Sequence, residues 1–162
     1  MRPKYKEYKN FFNLKKCNSL INNFKVNVQH HRKYRDAIIL RTKEVSPILV
    51  DTLLKDFNII LNYERIIYWP NSESIFKGSG CGLVGVMNQN YEGQVVEDND
   101  FSAICYLNNN VEGERILLQN KIMDPEIGKV IVFNSQKMEH EGEETVSDRF
   151  AYISWWKRKN YE

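Results

Sequence analysis

Between Asp100 and Trp156 the chain is written in short apolar or alternating runs, each stopped by Asn, Asp, Gly or Pro. They read DFSAICYLNN, then RILLQ after Val111-Glu112-Gly113-Glu114, then DPEIGKVIVFN, then HEGEETVSDRFAYISWW. Runs of this length between turn formers are how consecutive strands of an antiparallel sheet sandwich look in a sequence. In the last run, alternation puts Phe150, Tyr152, Ser154 and Trp156 on one face and Ala151, Ile153 and Trp155 on the other. Both faces carry large apolar groups, so this strand belongs in the middle of a sheet covered on both sides. Two polar residues stand out: His140, after the strand that ends at Phe133, and Arg149, nine residues on, at the head of the last strand.

The first half has a different rhythm. Residues 1–12 read as a basic, extended arm ending in the pair Phe11-Phe12. From Asn13, a candidate N-cap, Leu14, Cys17, Leu20-Ile21 and Phe24 recur at three and four residues and predict an amphipathic helix. Asp36 to Leu40 reads as a strand. Ser46-Pro47 starts a second helix, with Ser as cap and Pro at the first helical position, where its missing N–H costs nothing. Leu49, Leu53, Phe57, Ile60 and Leu61 share one face and predict a helix over 47–61, lying against the outside of the sandwich. Tyr63 to Trp69 then forms a strand stopped by Pro70. Gly82 to Met87 and Gln94 to Asp100 read as further strands, the second with an acidic end.

The elements Tyr106-Leu107-Asn108, Glu112-Gly113-Glu114, Pro125 through Phe133, His140 and Arg149 stand in an order and spacing that resembles the 2-oxoglutarate and Fe(II)-dependent dioxygenases, in particular the prolyl 4-hydroxylase-like branch. The phrase from Tyr63 to Pro70 and the opening helix are similar to that branch as well. The resemblance implies a mainly β (α+β) fold, a double-stranded β-helix or jelly roll with two supporting N-terminal helices. It also implies that His140 ligates iron, while Arg149, with Tyr106 beside it, holds the far carboxylate of 2-oxoglutarate.

One half of the implied metal site is missing. Where the resemblance calls for His-x-Asp or His-x-Glu soon after Pro70, the sequence reads Asn71-Ser72-Glu73-Ser74-Ile75-Phe76-Lys77-Gly78-Ser79-Gly80. Non-haem Fe(II) oxygenases need two imidazoles and a carboxylate on one face. This chain has three histidines, and His30 and His31 lie upstream in the tract HHRKYR. Adjacent histidines in an extended chain point to opposite sides, so they do not chelate one ion together and read as surface residues. Glu97 or Asp98 could stand in as a displaced carboxylate, or simply form an acidic turn.

Composition bounds the rest. At 162 residues, 42% hydrophobic and 12% aromatic, the chain makes one domain with a real core. It divides into the arm at 1–12, the supporting helices and first strand at 13–62, and the jelly-roll core at 63–157. No apolar run approaches the roughly 20 residues of a membrane span, and the basic, aromatic start is unlike a signal peptide; a soluble, cytoplasmic protein is expected. Cys17, Cys81 and Cys105 show no metal-binding spacing and read as reduced thiols. Residues 1–43 hold twelve Lys or Arg against Glu7 and Asp36, a net of +10, which leaves −8 for the rest of a chain whose total is +2. Such polarity suits docking of the arm onto its own domain, onto a second copy, or onto nucleic acid.

These residues support two expectations of different class. One is a non-catalytic dioxygenase-like protein that binds a protein partner or assembles with itself, with no firm cofactor. The other is an active oxygenase with an altered ligand set, using Fe(II) and 2-oxoglutarate. Nucleic-acid binding through the arm is a third and lesser expectation.

Overall fold

The computed structural model describes residues 5–34, 37–43, 46–69, 101–108, 116–118, 121–124, 126–135, 138, 140–142 and 148–159. Strand β1 (Tyr5–Tyr8) precedes helix α1 (Leu14–Val26), a short 3-10 turn (Val28–His30), and strands β2 (Arg32–Tyr34) and β3 (Ala37–Thr42). Helix α2 (Pro47–Phe57) leads into the long strand β4 (Ile59–Trp69). Strands β5 (Phe101–Tyr106), β6 (Ile116–Leu118), β7 (Lys121–Met123), β8 (Val130–Asn134), β9 (His140–Gly142) and β10 (Arg149–Arg158) complete the described chain. The expected strands at Gly82–Met87 and Gln94–Asp100, and the turn at Glu112–Glu114, lie outside the described residues.

Among the described residues these strands form two antiparallel sheets. The larger runs β1-β8-β5-β10-β4-β3-β2 and the smaller β7-β6-β9. Strand β10 sits between β5 and β4, the central place its two apolar faces call for. Phe150, Tyr152 and Trp156 join the core under the helices, while Ala151 and Ile153 join a second core that also holds Leu118 and Met123 of the small sheet. The architecture is the expected mainly β sandwich with two helices on one outer face.

Helix α1 begins where the sequence places it, with the Asn13 side chain accepting from the Lys16 backbone N–H at 2.8 Å. Cys17, Leu20 and Phe24 form its buried stripe. Helix α2 buries Leu49, Leu53 and Phe57, each contributing about 1.5–3 kcal/mol by leaving water. It ends at Phe57 rather than at 61. Asn58 adopts the left-handed conformation (φ 56°, ψ 47°) and its N–H closes on Leu54 O at 3.0 Å. That turn ends the helix and hands Ile59 directly to β4. Ser46 precedes the helix as expected, but its side chain makes no capping hydrogen bond.

Strand β4 carries a bulge. Trp155 of β10 faces Tyr63 and Trp156 faces Leu61, which leaves Asn62 as the extra residue. The bulge resets the alternation: Ile59 and Leu61 lie on the helix side, and so do Glu64, Ile66 and Tyr68, despite the change of parity.

Residues 5–8 of the arm form a sheet edge, paired with β8 from Tyr5↔Phe133 to Tyr8↔Val130. Lys6 reaches Asp56 of α2 at 2.9 Å, and the Tyr8 hydroxyl donates to the same carboxylate at 2.6 Å. From the other side, buried Lys129 meets Glu7 at 3.1 Å. This part of the arm therefore docks onto its own domain. No helix among the described residues is long and apolar enough to cross a membrane.

Candidate ligand site

The head of β10 and the tail of β5 build the site. Antiparallel register sets Arg149 across from Trp69 on one side, while its neighbour Ala151 stands across from Tyr106 on the other. Arg149 is fully buried and Tyr106 is 1% exposed. An arginine opening a strand is more often a surface ion-pair residue; here the guanidinium carbon lies 4.7 Å from the centre of the Tyr106 ring, inside the second core. The two residues that the family resemblance implies for carboxylate binding are thus brought together.

A third residue holds them in place. The Asn108 side chain donates to Asp148 O at 2.7 Å and accepts from Phe150 N at 2.8 Å, bridging the backbone on either side of Arg149. Leu107 N also donates to Phe150 O at 2.9 Å. On the helix side, Phe150 stacks on Tyr68 at 4.5 Å, and both meet Phe24 edge to face. Asn108 stands in the Tyr-Leu-Asn phrase of the sequence, but that reading gave it no task. The available signal was an amide immediately after a strand, with freedom to cap a neighbouring backbone.

Gly128, inside the Pro125-to-Phe133 phrase, fixes the far end of β5. Its N–H donates to Tyr106 O at 3.1 Å while its O accepts from Phe12 N at 3.0 Å. It holds φ +80°, and a Cβ there would lie 1.9 Å from Phe12 O. Only glycine allows the arm and the strand to meet this closely.

His140 opens β9, across from Leu118 of β6, which belongs to the same core as Tyr106. The small sheet therefore brings the His140 backbone to the side of the large sheet on which Arg149 and Tyr106 lie. His31 goes elsewhere. Its ring stacks on Phe24 at 4.1 Å and its Nε2 lies 2.6 Å from Phe24 O, so it is a half-buried partner of the helix rather than a free surface residue. Among the described residues, no group of three or more His, Cys, Asp or Glu side chains is gathered as a metal site. The stretch 71–80, with Lys77, and the candidate carboxylates Glu97 and Asp98 lie outside the described residues.

No protein-family profile matches the chain, and no curated relative does. Solved structures do match. A prolyl 4-hydroxylase from Pseudomonas putida aligns with a TM-score of 0.67 at 12% identity, over 97% of this chain and 94% of that one. The viral collagen prolyl hydroxylase of Paramecium Bursaria Chlorella virus-1, in a 2-oxoglutarate complex, gives 0.66 at 11% identity over 96% of each chain. A Trichoplax adhaerens prolyl hydroxylase bound to a hypoxia inducible factor peptide gives 0.67 at 15% identity, over 96% of this chain and 84% of that one. The fold is that of the prolyl 4-hydroxylase-like 2-oxoglutarate oxygenases.

Within this oxygenase fold the two halves of the implied chemistry differ. Arg149 offers a planar fork and Tyr106 a hydroxyl, a donor set suited to a carboxylate in a water-poor setting. For iron, the described residues supply no comparable donor set.

Proposed function

We propose that this chain is a non-catalytic member of the oxygenase fold, which keeps a carboxylate clamp and works by binding a protein partner or by assembling with copies of itself. The observation that carries the reading is the supply of imidazoles. The sequence has three, one of which, His31, is committed to Phe24 beside the supporting helix, and no histidine stands between His31 and His140. A pocket with His140 alone binds Fe(II) poorly. The polarised charge, +10 over residues 1–43 against −8 beyond, supports association with an oppositely charged surface. A cytoplasmic location belongs to the same reading, and free, buried Cys17 and Cys105 agree with a reducing compartment.

A second reading has its own observation. A fully buried guanidinium is costly to keep, and keeping Arg149 beside Tyr106 favours continued use of 2-oxoglutarate. In that case the chain is an oxygenase with an altered ligand set, hydroxylating a prolyl or other side chain or a small molecule. Bound Fe(II) would supply oxygen activation, while Arg149 and Tyr106 would orient the cosubstrate.

Anaerobic titration with Fe(II) and 2-oxoglutarate separates the two. The non-catalytic reading expects no metal-to-ligand charge-transfer band and no succinate on exposure to oxygen. A band and succinate release that both vanish in His140→Ala would overturn it in favour of the second. Size-exclusion chromatography with light scattering, at low and high salt, tests assembly.

A further inference from the structure

Strands β2 and β3 extend the large sheet beyond β4, and the extension carries cations that the site above does not use. Register places Arg32 across from Ile39, and Arg41 directly across from Arg65. Directly opposed residues of antiparallel strands share a face. Ile39 and Ile67 belong to the second core, so Arg32, Arg41 and Arg65 all lie on the face that holds Arg149, several residues away along the strands. Like charges set directly opposite one another destabilise a sheet unless an anion comes between them. No side chain of Arg32, Arg41 or Lys43 makes a hydrogen bond or ion pair among the described residues. The Nε of Arg65 is buried without a hydrogen-bond partner.

These groups border a cleft. It has a volume of about 450 Å³, and Gln29, His30, Arg32, Arg41 and Arg65 line it, with no acidic side chain among the described residues. A second groove of about 970 Å³ shares Arg41 and Arg65 and continues past Lys43 to Tyr63. Among the described residues of that groove the acid is Glu64, which is 3% exposed and accepts a hydrogen bond from Tyr152 on the helix side. At the groove's end Tyr63 and Trp155 stack at 4.6 Å, with the Arg65 guanidinium 5.0 Å and 5.4 Å from the two ring centres. The Asn62 bulge is what turns Tyr63 onto this face.

We propose that the cleft and groove together bind a nucleoside polyphosphate, with its phosphates held by Arg32, Arg41 and Arg65 and its base beside Tyr63. Guanidinium forks match phosphate oxygens two at a time, and three of them around one cleft select a ligand with several adjacent negative charges over a single carboxylate. The partly exposed aromatic pair lies next to the cations, where a planar base attached to those phosphates would reach. The assignment is independent of Arg149 and of whether the protein is catalytic.

Isothermal titration with ATP, inorganic pyrophosphate and adenosine tests it. Expected are saturable binding of ATP, weaker binding of pyrophosphate, and none of adenosine. Arg32→Ala and Arg41→Ala should each weaken ATP by about tenfold or more, and Tyr63→Ala should bring ATP down toward pyrophosphate. Arg32 and Arg41 are exposed, and unchanged thermal melts of these variants separate lost binding from lost fold. Arg149→Gln should leave ATP binding intact. ATP affinity weaker than about 1 mM, or equal in wild type and Arg41→Ala, overturns the site. ATP and pyrophosphate binding alike in both wild type and Tyr63→Ala overturns the nucleoside assignment.

Discussion

The guanidinium of Arg149 lies over the ring of Tyr106, 4.7 Å from its centre, with both side chains withdrawn from solvent. The ring face partly offsets the cost of the buried charge. A carboxylate held by such a pair should be lost with the cation. In wild type, 2-oxoglutarate is expected to raise Tm by mass action on the folded state. Arg149→Gln should raise the dissociation constant by about 10- to 100-fold, the worth of charge-assisted hydrogen bonds, and shrink the Tm rise at the same ligand concentration. Tyr106→Phe should lose less. Equal Tm shifts in wild type and Arg149→Gln would remove the clamp from the description.

Asn108 connects the backbone at Asp148 and Phe150, so Arg149 is held through the main chain on either side of it. Removing both bonds in Asn108→Ala should cost about 2 kcal/mol in urea unfolding. It should also weaken 2-oxoglutarate binding beyond what unfolding explains. Asn108→Asp keeps the acceptor for Phe150 N but sets a carboxylate against Asp148 O, so it should not restore the wild-type value. Binding unchanged in a folded Asn108→Ala protein would show that β10 holds Arg149 unaided.

The strands were legible because they follow from local pattern: alternation in 150–156 places β10 centrally, whereas Tyr106 and Arg149 were singled out by the family resemblance, and the structure sets them side by side. The end of α2 was not. Ile60 and Leu61 continue the helical stripe of Leu49, Leu53 and Phe57 in the sequence, and only the left-handed turn at Asn58 breaks it. The bulge at Asn62 was equally hidden, since it depends on how β4 meets β10 and leaves no signature in β4 alone. Pairing of Arg41 with Arg65 is also a product of register, joining residues far apart in the chain. The arm read as basic and extended, but its edge pairing with β8 comes from long-range contacts that its composition does not reveal.

Gly128 is expected to be among the least tolerant positions. Any side chain must both accept a left-handed backbone and displace the Phe12 carbonyl, which a Cβ would approach to 1.9 Å. Gly128→Ala should destabilise by about 3 kcal/mol, combining the backbone strain with a forced shift of the arm. The check is a denaturant melt beside Ile127→Ala as a neighbouring control. A loss below that of the control would mean that the arm gives way freely.

Asp56 ties α2 to β1 and should mark the acid limit of that contact. The hydrogen bond from Tyr8, and after it the one from Lys6, holds its carboxyl below the usual carboxylate range. A depressed folded value means that the unfolded chain takes up the proton first as pH falls. The stabilisation is therefore complete above the ordinary value of about 3.9 and lost as pH drops below it through the lower folded value. Lys6 is 46% exposed, so its share is small and screened by salt, whereas the Tyr8 bond persists. Asp56→Asn should cost about 1 kcal/mol at pH 7, and the gap to wild type should close once the wild-type carboxylate is protonated. Urea melts of both proteins from neutral to acid pH measure this directly. A gap that stays constant across that range would mean that the Asp56 charge contributes nothing to the docking of β1 on α2.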